Sequence, residues 1–230
     1  MTIRNIYIPR EDKIGVIAKK VDFKWYPGLS ISQKQKSIAS LHLSAKNMGF
    51  FPLLEVSTKS TEVLGTQLSA FNLKFFLKNA KIVSTIVSVF QGSKVFERGG
   101  PYTDLYYKKS IDAKKDMRLK NSGNIEAFLL EGEYFETMPR TLFYDWIYIS
   151  ALIQNKSLLA DIVKYKGFSD IEFNDVKSIN CQAYSVALCV SLIKHNKLEE
   201  ALLSPKHFLD VLQDEYNCKN RNVMIQGTLL

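Results

Sequence analysis

The sequence predicts an α+β domain that is helix-rich towards the C-terminus and carries a small β-sheet. Three observations predict it. Short β-branched or apolar runs, such as FPLLEVS at 51–57 and the start of KIVSTIVSVFQGSKVF at 81–96, read as strands. Helix-like runs accumulate after Pro139. No repeat, low-complexity tract or linker divides the 230 residues, and 46% hydrophobic content with 12% aromatics can build a real core, so one domain over 1–230 is expected.

Residues 1–30 read as a short extended N-terminal arm ending in Trp25-Tyr26-Pro27-Gly28. Ser32 then opens a helix reaching Asn47, with apolar or small positions at Ile38, Leu41 and Ala45. Residues 51–57 read as a buried strand and 64–73 as a loop. The run 81–96 moves from strand into helix. Gly99-Gly100-Pro101 is a turn, and SIDAKKDMRLKN at 110–121 is a charged helix stopped by Ser122-Gly123. A hairpin follows, with AFLL at 127–130 and Tyr134-Phe135 separated by Gly132. Pro139 suits the first helical position of the next helix, and further helices are expected at 156–165, 179–195 and 205–215, the last within a C-terminal helical extension at 196–230.

Composition narrows the function. The excess of 31 Lys+Arg over 23 Asp+Glu, a formal +8, favours encounter with phosphate-rich partners, although basic proteins that bind no nucleic acid are common. Cys181, Cys189 and Cys218 show no ligand spacing, and His42, His195 and His207 fall in separate helices. Neither a metal site nor a cofactor is expected. The absence of a long apolar stretch and of a signal-like start points to a cytoplasmic protein without a membrane partner.

Four elements carry a resemblance. Phe90-Gln91-Gly92-Ser93-Lys94-Val95-Phe96 resembles the FQAxKF element of the NADAR (YbiA-like) family. LSAF at 68–71 is similar to its upstream LSNF, Phe135-Glu136 to its Trp-Glu, and Asn180-Cys181-Gln182-Ala183 to its N-x-L-G, all in the same order. A closer likeness, through FKWYPGLSISQKQKSI, GSKVFERGGPYTDLY, FYDWIYI and FSDIEFNDVKSINCQA, is to the NADAR antitoxins encoded beside DarT toxins. The resemblance implies a NADAR/YbiA-like fold and an N-glycosidase that removes ADP-ribose from guanine bases in DNA, reversing the work of a DarT-type DNA ADP-ribosyltransferase. ADP-ribosylated DNA, ADP-ribose and the toxin are the implied partners.

If 84–96 is helical, positions 87, 91 and 94 share one stripe that can line a pocket. Lys94 there is the candidate nucleophile, forming a Schiff base with the distal ribose as the family is thought to do. Such an amine must be unprotonated, which requires burial or a cationic neighbour. Gln91 is placed to bond a ribose hydroxyl, while Phe90 and Phe96 read as core. The sequence departs from the family at Val87, where relatives carry a Glu as general acid/base. Another carboxylate substitutes (Glu55, Glu172 or Asp175), or the chain is a slow variant, or it binds ADP-ribosyl groups without turnover.

Ser57, Thr58 and Lys59, with Ser60, have the hydroxyls, amides and cation to cradle a pyrophosphate. Gly99 and Gly100 beside Arg98 form a second approach for phosphate. Ser69 and Phe71 of LSAF, Phe135 in place of the family Trp, and Asn180 complete the expected substrate-binding set. Trp25, Tyr26, Tyr102 and Tyr106 are further stacking candidates, Trp146 reads as core, and Lys114, Lys115, Arg118 and Lys120 form a basic flank that could follow a DNA backbone. Alternatives are an ADP-ribose reader, an N-glycosidase for a small phosphorylated metabolite, and a protein that inhibits the toxin by contact.

Overall fold

The computed structural model describes residues 2–174 and 178–217. The fold is α+β. In chain order its elements are β1 (Thr2–Pro9), β2 (Val16–Phe23), α1 (Ile31–Asn47), β3 (Leu53–Glu55), α2 (Val63–Leu68), β4 (Lys74–Leu77), β5 (Ile82–Thr85), α3 (Ile86–Gly92) and β6 (Lys94–Phe96). A 3₁₀ turn (Thr103–Tyr107) precedes α4 (Ser110–Lys114), α5 (Arg118–Asn121), β7 (Ile125–Leu130), β8 (Glu133–Glu136), α6 (Leu142–Gln154), α7 (Lys156–Ile162), β9 (Gly167–Ser169), α8 (Gln182–Lys194), α9 (Leu198–Ala201), α10 (Pro205–Val211) and α11 (Gln213–Asn217). The strands belong to three sheets rather than one small sheet. The described chain divides into two compact units, residues 2–69 with Lys156–Glu199, and Ala70–Asn155 with 200–217.

In the first unit a four-stranded sheet runs in the order β2-β1-β9-β3. The stretch expected to be an extended arm is instead a hairpin, paired antiparallel from Thr2↔Phe23 to Pro9↔Val16. Its period-2 pattern is muted because Ala18, Lys19 and Lys20 of β2 are exposed and only Val21 and Phe23 turn inward, as suits a charged edge strand. Ser30 Oγ accepts the Gln33 N–H at 3.3 Å, so α1 starts at Ile31, one residue before the expected Ser32. Ile38, Leu41 and Ala45 then join Ile6, Val21, Phe23, Leu53 and Ile171 in one core. Strand β3 lies parallel to β9 with Glu55 opposite Ser169. The segment 63–68 is a short helix, not a loop; Gly65 and Thr66 weaken its sequence signal. Helix α8, buried from Ala183 to Leu192, packs on β1 and β9.

The second unit holds the β4-β5 hairpin and the three-stranded sheet β6-β7-β8. The expected hairpin across Gly132 is present as β7-β8, with Phe128 opposite Phe135. The run 81–96 is not one strand followed by one helix. Thr85 caps α3, accepting the Ser88 N–H, and the helix ends at Gly92, where an added Cβ would meet the Tyr106 ring at 2.5 Å. All seven residues of α3 are buried, so it has no solvent face to generate a periodic signal. The charged run 110–121 is two helices, α4 ending at Lys114 and α5 starting at Arg118, whose N–H donates to Asp116 at 3.0 Å. Helix α6 begins at Leu142, not at Pro139. Its Phe143 stacks on Phe128 at 4.5 Å between ring centroids and adjoins Phe90 and Phe135, which forms the aromatic centre of this unit.

Candidate active site

Lys94 is the best-defined reactive group. It opens β6 directly after α3, pairs with Phe128 across the sheet and is 2% exposed. It therefore does not continue a helical stripe from 87 and 91; those two positions are on α3 and Lys94 begins a strand. Burial, followed by the nearby charge of Lys114, lowers its pKa from 10.5 to about 8. The Phe90 ring, 4.9 Å from Nζ, favours the ammonium by roughly 0.5–2 kcal/mol, less than the roughly 3 kcal/mol that the fall in pKa represents. Desolvation wins, and roughly a tenth of the amine is neutral at pH 7.

On α3, Gln91 is buried and its Oε1 has no hydrogen-bond partner among the described residues. An acceptor left in that condition is costly unless a ligand donates to it. Val87 is buried in the same helix, its N–H donating to the Ala70 carbonyl at 3.1 Å, and its side chain can carry no proton. Gly100 lies against the Lys94 backbone at φ +83, where an added Cβ would strike the Lys94 carbonyl oxygen. Gly99 and Gly100 thus form the turn that supports the lysine strand, and the Phe96 N–H donates to Gly99 O at 2.8 Å. Neighbouring Arg98 is exposed, bonded to Asn121 O and close to Glu97.

The first unit contains a second cluster. Glu55 accepts from Ser169 Oγ at 2.5 Å and from the Ile171 N–H at 2.8 Å. Its carboxyl pKa is raised by burial, against the lowering effect of those donors. Asp170, which sequence reasoning missed, is raised well above the ordinary carboxylate range by burial and then by the charge of Glu55. Both oxygens of Glu55 accept hydrogen bonds, and Asp170 accepts from the backbone of Glu172 and Phe173 and from the Gln182 side chain. Burial and mutual repulsion thus raise both carboxyls of the pair. His42 Nε2 is 2.9 Å from Ser169 Oγ, and burial lowers its pKa to about 4. Because Ser169 donates its one proton to Glu55, neutral His42 donates to Ser169. The signal for Asp170 was its place in FSD at 168–170, beside the strand partner of Glu55.

Thr58, Lys59 and Glu172 are also brought together here. Thr58 Oγ1 donates to Glu172 Oε2 at 3.1 Å, and Lys59 Nζ donates to Thr58 Oγ1 at 3.1 Å. Ser57 is buried and accepts the Lys59 N–H. Glu172 therefore anchors this loop through one hydrogen bond from Thr58 and a loose ion pair with Lys59. Asn180 Oδ1 is buried without a partner among the described residues. Asp175 lies outside the described residues. Ser69 is buried and C-caps α2, while Phe71, in the second unit, lies 5.6 Å from Lys114 Nζ and accepts from Ser110 through its carbonyl.

Several aromatic assignments change. Phe135 is 2% exposed and packs on Phe143 and Trp146, so its ring belongs to the core. Tyr106 is buried with its hydroxyl 3.0 Å from Ser93, and Tyr102 carries Arg118 over its ring at 4.5 Å. Arg118 is held by Asp104 and Asp116, which removes it from the free basic flank. Trp25 packs on Phe23 under Arg4 and Lys34. Phe90 is core, as expected.

Among the described residues no helix is long and apolar enough to cross a membrane. No curated protein matches the chain significantly. The family model described as "DarT1-associated NADAR antitoxin" matches residues 2–222, nearly the full length. The chain belongs to the DarT1-associated NADAR antitoxin family.

Proposed function

We propose that the protein performs its antitoxin role as an ADP-ribosyl N-glycosidase, releasing ADP-ribose from guanine bases in DNA. The observation that carries this reading is the buried Lys94 amine, held at a pKa of about 8 in a chain of this family. A neutral Lys94 Nζ attacks the anomeric carbon of the distal ribose. The N–C bond forms, the bond from that carbon to guanine breaks, and a proton goes to the guanine nitrogen. Ring opening gives a Schiff base; water adds to it and ADP-ribose leaves with Lys94 restored. The guanine nitrogen needs a general acid to supply that proton, and the Val87 side chain cannot. Substrate on the DNA strand and functional pairing with a DarT-type toxin complete the proposal.

Borohydride treatment during turnover tests it. ADP-ribose should become covalently attached at Lys94, and Lys94→Ala should abolish both the adduct and turnover. An unmodified Lys94 with undiminished turnover in Lys94→Ala would remove the amine from the mechanism.

A second reading is favoured by Val87, an apolar residue where relatives carry the acid/base. In it the protein is a reader that binds ADP-ribosyl groups without releasing them. A gain of 10²-fold or more in Val87→Glu, at unchanged ADP-ribose affinity, would support the reader.

A further inference from the structure

Outside the surroundings of Lys94, the second unit has an open groove of about 620 Å³ between the β4-β5 hairpin and the segment 106–110. None of the residues lining it is acidic. Lys74 and Lys109 line it; Lys114 stands at its Phe71 end, its ammonium 5.6 Å from that ring. Lys108 is neutralised by Asp104 and Asp116, but Lys74, Lys109 and Lys114 have no ion-pair partner among the described residues. Beside them Tyr107 is 68% exposed and Val83 62% exposed. The hydroxyls of the floor are already used: Ser84 donates to the Tyr106 carbonyl at 2.7 Å, and Ser110, 2.7 Å from Thr85 Oγ1, donates to the Phe71 carbonyl at 2.9 Å. Cations without an ion-pair partner among the described residues and one exposed aromatic ring, that of Tyr107, are thus what the groove offers to a ligand.

Lysines beside an exposed tyrosine ring, with few free groups for base-edge hydrogen bonding, suit an unpaired nucleic-acid strand, because phosphates meet the cations and an unstacked base lies on the ring. A duplex keeps its bases stacked and would leave Tyr107 without a partner. We infer that this groove holds the single DNA strand flanking the modified base, with Lys74, Lys109 and Lys114 on its phosphates and Tyr107 against a base. The inference rests on the proposed DNA glycosidase reading and extends it to the substrate beyond the ADP-ribosyl group. Lys114 connects the two regions: its ammonium caps the Phe71 end of the groove and its charge is felt at Lys94.

The test is fluorescence anisotropy of an unmodified, mixed-sequence single-stranded oligodeoxynucleotide over a salt series. Wild type should bind with a negative slope of log affinity against log salt. In Lys74→Ala/Lys109→Ala the magnitude of that slope should fall by about 1.4, at about 0.7 for each phosphate contact on a single strand. Tyr107→Ala should weaken binding at least about fivefold. Lys13→Ala/Lys19→Ala, which removes the same charge from exposed positions in the first unit, should keep the wild-type slope. Lys74→Gln/Lys109→Gln repeats the measurement should the alanine form fold poorly. A wild-type slope in the groove variants, an equal loss in the control, or tighter binding of a duplex or of RNA of the same sequence overturns the inference. Because this oligonucleotide carries no ADP-ribose, the result is independent of hydrolysis: absent turnover on a modified strand would sink the glycosidase reading and leave the groove standing.

Discussion

Replacing Lys94 by Met should stabilise the protein at neutral pH, and the gain should vanish in alkali. Lys94 is buried, with a pKa lowered from 10.5 to about 8. At pH 7 the amine is mostly protonated in both the folded and unfolded states, and the folded state bears the cost of burying the charge. The difference between 10.5 and about 8 amounts to roughly 3 kcal/mol. For a lysine whose folded pKa is depressed, the associated stability is present above the unfolded value and lost as pH falls through the folded value. Met nearly matches the lysine stem in length and removes the charge. Urea denaturation of both proteins should therefore give Lys94→Met an advantage of roughly 3 kcal/mol at pH 7, falling below about 1 kcal/mol at pH 10. Comparing the two proteins at each pH cancels the other titrating groups. An advantage that is the same at both pH values would refute the claim that this amine is desolvated, and with it the availability of the nucleophile near neutral pH.

Other outcomes follow from the same geometry. Turnover should rise with pH around the Lys94 pKa of about 8, and a pH-independent rate from 6 to 9 would oppose an amine nucleophile. Val87→Glu should change turnover less than about tenfold, and a gain of about 10²-fold or more would favour the reader. Gly100→Ala should cost about 1–3 kcal/mol and reduce borohydride trapping, since the added Cβ meets the Lys94 carbonyl at a positive φ; wild-type stability and trapping would show that the turn does not support the lysine. Phe135→Ala should cost about 3–5 kcal/mol in denaturation while leaving KM unchanged, whereas a raised KM at little cost in stability would return Phe135 to the ligand.

The candidate site was only partly legible. Lys94 was found because FQGSKVF is a contiguous match, and that match does not depend on which element holds it. The helical stripe through 87, 91 and 94 failed because α3 is buried on every side and gives no periodic contrast between faces. Glu55 was readable from its apolar neighbours Leu54 and Val56. His42 was passed over because its partner Ser169 is 127 residues away, and that pairing exists only once β9 lies in the sheet. The basic flank at 114–120 read as uniform charge, yet Arg118 is bound to Asp104 and Asp116 while Lys114 is not. Residue types alone do not distinguish a neutralised cation from an available one.

Local order in the sequence was sufficient for the α+β class, the hairpin at Gly132, helix α1 with its buried Ile38, Leu41 and Ala45, and the family, because each rests on neighbouring residues or on motifs in fixed order. Tertiary structure alone decided that 2–23 is a hairpin within a sheet, that Lys94 begins a strand, and that Asp170 shares a buried cluster with Glu55. The physical reason is desolvation and pairing across long separations. Whether an amine is neutral or a carboxyl keeps its proton depends on which distant segments exclude water from it, and no local window of sequence contains that information.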